Sequence, residues 1–196
     1  MISLRFTPQH IKDAIKKAQK LGSLNNSITS GKANVSGYLA ENVISDYLGA
    51  NNISCSHGSN KYNFDLHYSR YHFDVKVKRR YRNTPHDSTS RDGELLIKEA
   101  SVAETSAHQE CDGYLFMSIN FKNREGKGVE AIYRDPISVW FCGFMSKESY
   151  FEKARFLKKG EVDPSNNYKV QANCFNVPYK DLRHPSQIFD IDVFGL

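Results

Sequence analysis

Cysteine is scarce in this chain and badly arranged for metal chemistry. The four residues, Cys55, Cys111, Cys142 and Cys174, are widely separated and form no C-x-x-C pair. Structural zinc sites are built from closer ligand pairs, so the spacing argues against one. Three histidines, His57, His67 and His72, lie near one another in sequence but lack a repeated ligand spacing, which weakens a transition-metal reading. No amino-terminal apolar run resembles a signal peptide, and nothing approaches a membrane span. The expected setting is therefore the cytoplasm, with thiols reduced and no membrane partner. A Gly-rich phosphate loop is also missing, which argues against ATP-dependent activity within the chain. No internal repeat or low-complexity block is present.

What remains is the composition of a soluble globular protein. Charged residues make up 25% and hydrophobic ones 39% of 196 residues, and a chain of this size buries roughly 70% of its extended surface without needing a staple. Net charge is +5, mild enough to be compatible with a polyanion partner without demanding one. Its distribution says more. From Lys76 to Arg91 there are six basic residues, Lys76, Lys78, Arg79, Arg80, Arg82 and Arg91, against a single acid, Asp87. A solvated loop explains such a run by itself; beside an active site, phosphate contact becomes the better reading.

Apolar periodicity sets out the elements. A short strand or extended arm is expected over 2–6. A helix follows Pro8, with Ile11, Ile15, Ala18 and Leu21 as its stripe and Gly22 as its terminator. A second helix runs from Ser36 to Leu48, with Leu39, Ala40, Val43, Ile44, Tyr47 and Leu48 on a broad apolar face and Glu41 on its flank. Two strands are expected over 61–67 and 71–79. In the second, Phe73, Val75 and Val77 alternate with Asp74, Lys76 and Lys78, placing Asp74 and Lys76 on one face. If Ser69-Arg70 is a two-residue hairpin tip, Tyr68 faces Tyr71 and Asp65 faces Asp74. Ser-Arg is not a favoured tight-turn pair, so a longer loop or a bulge is the other option. Further on, a helix from Asp92 or Gly93 to about Gln109 is expected, then strands over 113–120, 129–133 and 137–144. A helix capped by Ser146 should run to Gly160, followed by an edge hairpin and a closing tail.

Asp65, Asp74 and Lys76 form the constellation that carries chemistry. Hydrolysis of a phosphodiester builds negative charge on the phosphoryl and leaving oxygens, and a hard divalent cation held by carboxylates neutralises it. Mg²⁺ keeps several waters and needs only one or two protein carboxylates, so Asp65 and Asp74 suffice as main ligands. The Val75 carbonyl can add a third, and Glu41 can hold a second ion or a water of the first. Lys76, whose ordinary pKa near 10.4 disfavours it as a base, is better suited to orienting water and stabilising charge. Lys78, Arg79, Arg80, Arg82 and Arg91 are the expected nucleic-acid contacts. Gln109 either reaches a water or phosphate near the site or caps a turn. A D-x-K triplet alone is weak evidence; its strand periodicity, the preceding acid, the helical acid and the basic run together make it moderately specific.

These residues resemble the PD-(D/E)xK nuclease superfamily, restriction-endonuclease-like proteins that include Holliday junction resolvases and phage exonucleases. Gly37-Tyr-Leu-Ala-Glu41 looks like its helical acid, Asn63-Phe-Asp65 like its first strand aspartate, and Asp74-Val-Lys76 like its terminal motif. Phe64 stands where the motif has proline, and Gln109 matches a residue that the following helix sometimes supplies. The resemblance covers about 35–133. It implies an α/β fold with an αβββαβ core, a mixed central sheet flanked by helices, and here a C-terminal helix and hairpin extension. On this reading residues 1–196 form one nuclease domain: a core over about 35–144, an N-terminal helical element over 1–34 and an extension over 145–196. It further implies an Mg²⁺-dependent deoxyribonuclease, with Mn²⁺ as substitute, cutting double-stranded DNA in a bacterial or phage-infected cell. A symmetric double-strand break would favour a homodimer. An exonuclease or Holliday-junction-type structure-specific nuclease, and a non-catalytic nucleic-acid-binding protein, are the alternatives.

Overall fold

Pro8 opens the first helix, where its fixed φ and missing N–H cost nothing. This helix, α1 (Pro8–Leu21), packs against α2 (Asn34–Ala50). The computed structural model describes residues 1–21, 34–50, 55–57, 64–80, 99–126, 131–164 and 168–190. In chain order its strands are β1 (Ile2–Leu4), β2 (Cys55–His57), β3 (Leu66–Tyr68), β4 (Tyr71–Arg80), β5 (Glu99–Ala103), β6 (Gly113–Glu125), β7 (Ile132–Ser146), β8 (Arg155–Leu157), β9 (Val162–Asp163), β10 (Tyr168–Lys169) and β11 (Cys174–Pro178). A third helix, α3 (Lys147–Lys153), follows β7 directly. The class is mixed α/β. Among the described residues no helix is long and apolar enough to cross a membrane.

Six strands make the central sheet in the order β1-β7-β6-β4-β3-β2. All neighbours are antiparallel except β4 and β6, which run parallel from Phe73↔Gly113 to Arg80↔Asn120. Side chains of one β-strand alternate between faces, and this decides what each layer sees. Phe73 and Val75 of β4, with Leu115, Met117 and Ile119 of β6, face Leu39, Val43, Ile44 and Leu48 of α2. Because α2 is enclosed between this sheet and α1, its apolar face is broad. On α1 the buried centre is Ala14, with Ile11 packed beside it, whereas Ile15 is 40% exposed. The expected α1 stripe is therefore rotated by about one residue.

The opposite face carries Tyr114 and Phe116 of β6 and is covered by a second, three-stranded sheet, β5-β11-β8, with α3. Tyr150 of α3 is fully buried there, its hydroxyl 2.9 Å from Ala100 O and 2.6 Å from Phe175 O. This second sheet corrects three expectations. The part of the predicted 93–109 helix that is described is strand β5 and a short 3-10 turn, Glu104–Ser106; residues 92–98 lie outside the described set. In β5, Ala100 and Val102 alternate with the more exposed Ser101 and Ala103, and pairing with β11 overrides the helix propensity of alanine. The Ser146-capped helix forms, with Ser146 Oγ accepting from Ser149 N at 3.2 Å, but it ends at Lys153 because Arg155–Leu157 joins β11. The carboxy-terminal segment is thus the middle of a sheet rather than an edge hairpin.

The two strands expected over 129–133 and 137–144 form one long strand, β7, irregularly paired near Asp135-Pro136. Gly143 in that strand has φ +152°. A Cβ there would meet Arg183 O at 2.7 Å and Leu182 Cβ at 2.8 Å. Backbone passes close at that point, where Phe144 and Arg183 exchange two hydrogen bonds.

Candidate active site

The turn between β3 and β4 has two residues, Ser69 and Arg70, with Ser69 at φ +54°. A positive φ at the first turn position matches the strand twist, and it fixes the register Tyr68↔Tyr71, His67↔His72 and Leu66↔Phe73. One step further, Asp65 N donates to Phe73 O at 2.8 Å, bringing Asp65 beside Asp74. The tight hairpin thus creates the aspartate pair, and no longer loop or bulge intervenes.

Each aspartate is held differently. Asp65 Oδ2 accepts from Val75 N at 2.8 Å. Val75 therefore meets the site through its N–H as well as being the residue whose carbonyl was considered a ligand. Asp74 is only 2% exposed, and its Oδ2 lies 2.6 Å from Lys76 Nζ. That ion pair lacks a well-directed hydrogen bond, leaving the buried Oδ2 without one among the described residues. Lys76 Nζ also donates to Gln109 Oε1 at 3.1 Å. Gln109 arrives from the turn after β5 and is fixed from behind, since its carbonyl accepts from Lys147 Nζ at 2.5 Å. A β-strand lysine and a loop glutamine some thirty residues later are thereby joined.

Glu41 completes the acidic group from α2. Side chains on a helix lean toward its amino terminus, and a Cβ on Gly37, one turn earlier, would stand 3.9 Å from Glu41 Oε1. Burial raises the Glu41 pKa from 4.5 to about 7; the Lys17 charge opposes this and the Asp74 charge adds to it. Asp65 is pushed well above the usual carboxylate range, first by burial, then by the charges of Asp74 and Glu41 and by a hydrogen bond with Asp74; the Val75 N–H works in the other direction. Burial and the charges of Glu41 and Asp65 raise Tyr38 as well. Three acids therefore sense one another in a partly desolvated space, with Lys76 and Lys17 as their nearby cations.

Lys17, Tyr38 and Lys147 were not singled out in the sequence. Lys17 Nζ donates to Asn42 Oδ1 at 2.8 Å and sits 5.7 Å from the Tyr38 ring centroid. Tyr38 stands three residues before Glu41, the spacing of helical neighbours, and could have been found that way. Lys147 follows a recognisable cap, but nothing local distinguishes it from other lysines. Beside the acids, the His67 and His72 rings stack at 5.1 Å, and Phe64 lies 4.3 Å from His72.

The basic run divides. Lys78 Nζ donates to Glu99 O, and burial, with the Arg80 charge, lowers its pKa to about 8. Arg79 donates to Ala131 O at 3.2 Å and stacks over Tyr133 at 4.7 Å. Arg80 is partly buried, its Nε without a hydrogen bond among the described residues. Arg82 and Arg91 lie outside the described residues.

The residues fit a divalent cation. Two neighbouring carboxyls have raised pKa values, first because they are buried and then because other acids face them, and a buried carboxylate oxygen lacks a directed donor among the described residues. A hard cation among Asp65, Asp74 and Glu41 would supply both. The sequence matches no protein-family model and no curated protein.

Proposed function

We propose that this chain is a metal-dependent nuclease of the PD-(D/E)xK kind, hydrolysing phosphodiester bonds in DNA. The observation that carries the reading is the convergence of Asp65, Asp74, Lys76 and Gln109, with the Glu41 charge felt by Asp65. A surface that only bound phosphate would gain nothing from buried acids. The topology supports the same reading. Helix α2 precedes an antiparallel β2-β3-β4 meander, and β6 lies parallel to β4, as an αβββαβ core requires. The crossover between them departs from that core in its described part, where β5 replaces helix.

Asp65, Asp74 and Glu41 would hold Mg²⁺ or Mn²⁺, with the Val75 carbonyl as a further oxygen. When bound, such an ion neutralises developing phosphoryl charge and lowers the pKa of water. Lys76, positioned by Asp74 and Gln109, orients the attacking water and donates to the phosphoryl oxygens. The water oxygen bonds to phosphorus as the bond to the 3′ oxygen breaks. Solvent takes the proton of the attacking water and protonates the leaving 3′ oxygen, and the product carries a 5′-phosphate. Symmetric cutting of both strands would call for a second copy of the chain.

The test is cleavage of supercoiled plasmid and linear duplex with Mg²⁺ or Mn²⁺, beside EDTA and the Asp74→Ala protein. Nicking or linearisation that needs metal and disappears in the variant is expected. Degradation of linear DNA alone would make the activity exonucleolytic. No hydrolysis of duplex, branched DNA or RNA would overturn catalysis and leave a binding protein.

A further inference from the structure

Beyond Lys76, away from the hairpin, a partly open cavity of about 360 Å³ lies between the central sheet and the second sheet. Lys76 lines it as well as the acidic site, so the two spaces adjoin. Its other walls include Lys78, Ser101, Phe116, Asn176 and Tyr179. The volume falls within the range of small-molecule sites, about 300–1,000 Å³. The lining offers aromatic faces, a hydroxyl, amides, the ammonium groups of Lys76 and Lys78, and the Asp163 carboxylate.

Lys78 is the informative residue. Its one hydrogen bond among the described residues goes to the Glu99 carbonyl oxygen, which leaves two of three ammonium protons for a ligand. Asp163 is engaged through both oxygens and Glu99 through Oε1, whereas Glu99 Oε2 is buried without a hydrogen bond among the described residues. Arg155 Nη2 lies 2.9 Å from Glu99 Oε1 and 3.3 Å from Asp163 Oδ1, and Asn176 Nδ2 donates to Asp163 Oδ2 at 3.1 Å. Among the described residues no carboxylate forms an ion pair with Lys78. The ammonium sits 5.8 Å from the Tyr179 ring centroid. Along the strand Lys78 follows Lys76 by about 7 Å, of the order of the separation between successive phosphates.

We propose that this cavity receives an unpaired nucleotide adjacent to the scissile phosphate, with Lys78 on the next phosphate and Tyr179 beside the base. The inference rests on the nuclease reading and sharpens its substrate to single-stranded or locally unpaired DNA. A cavity of about 360 Å³ has room for one nucleotide and not for a base pair. Aromatic stacking with an amide and hydroxyl suits a base exposed from its partner.

Binding of deoxyadenosine 5′-monophosphate, with deoxyadenosine as the phosphate-free control, is measured in EDTA by calorimetry. Wild type should bind the monophosphate about tenfold or more tightly than the nucleoside. Lys78→Met, which keeps the stem and removes a partly buried charge, should erase that difference. Ala172→Trp, filling the cavity from its wall, should weaken both ligands about tenfold. In parallel, single-stranded DNA circles should be cut about tenfold faster than duplex circles, an advantage Ala172→Trp removes. No saturable binding at millimolar ligand, or a monophosphate preference intact in Lys78→Met, overturns the inference even if duplex DNA is cleaved. Binding that behaves as expected in a protein that cleaves nothing overturns the nuclease reading instead, leaving a nucleotide pocket.

Discussion

Glu41→Gln should stabilise the metal-free protein at alkaline pH while weakening its response to metal. The folded-state pKa is raised from 4.5 to about 7. Below 4.5 the carboxyl is protonated in both folded and unfolded chains and imposes no cost. Between 4.5 and about 7 the unfolded chain ionises while the folded one keeps its proton, so stability falls as pH rises. Above about 7 the loss is complete, at most about 3 kcal/mol. Glutamine keeps the shape without the charge. It also forfeits the attraction of Lys17, so a gain of about 1–2 kcal/mol at pH 8 is expected, and almost none near pH 4. Urea unfolding in EDTA at both pH values reads this directly.

The same titration with Mg²⁺ completes the test. Binding to the folded state alone stabilises by about 2.7 kcal/mol at a hundredfold excess over Kd. Wild type should show this gain at pH 8 and lose it toward pH 5, as Glu41 takes up its proton. Glu41→Gln should gain less at pH 8. A variant destabilised by more than about 1 kcal/mol in EDTA at pH 8 would refute the reasoning: Glu41 would then be a structural partner of Lys17, not stored negative charge.

Lys76→Met leaves Asp74 buried beside no ammonium, so it should lower the melting temperature in EDTA, recover part of it with Mg²⁺, and reduce kcat about 10²–10³-fold; unchanged kcat would remove Lys76 from the chemistry. Gly143→Ala forces a methyl to within 2.7 Å of Arg183 O and should cost about 2–3 kcal/mol, measured by urea unfolding, with activity per folded molecule retained. Tyr150→Phe strips a buried hydroxyl from the carbonyls of Ala100 and Phe175 and should cost about 1–2 kcal/mol by the same measurement, with a larger loss expected wherever the second sheet loosens.

The hairpin was legible because its evidence is local. A two-step alternation fixes which face Asp74 and Lys76 share, and counting back from the turn places Asp65 opposite Asp74. Ser69 at positive φ shows how little the tip's composition had to cooperate once both flanks were strands. The helical position of Glu41 was legible for the same reason, since apolar spacing determines α2 without reference to the rest of the chain. Gln109 teaches the opposite lesson. It meets Lys76, but from a turn after β5 rather than from the end of a helix. Glu-Ala-Ser-Val-Ala has a single β-branched residue to mark it as a strand, and its partner is β11, some seventy residues later. The premature end of α3 has the same origin, because Arg155–Leu157 is claimed by the other edge of β11. One non-local strand therefore explains both failures. It also builds the wall that encloses Lys78, turning a residue that read as an outward phosphate contact into the lining of a cavity. Local periodicity reveals the acids of the site; long-range pairing decides what can reach them.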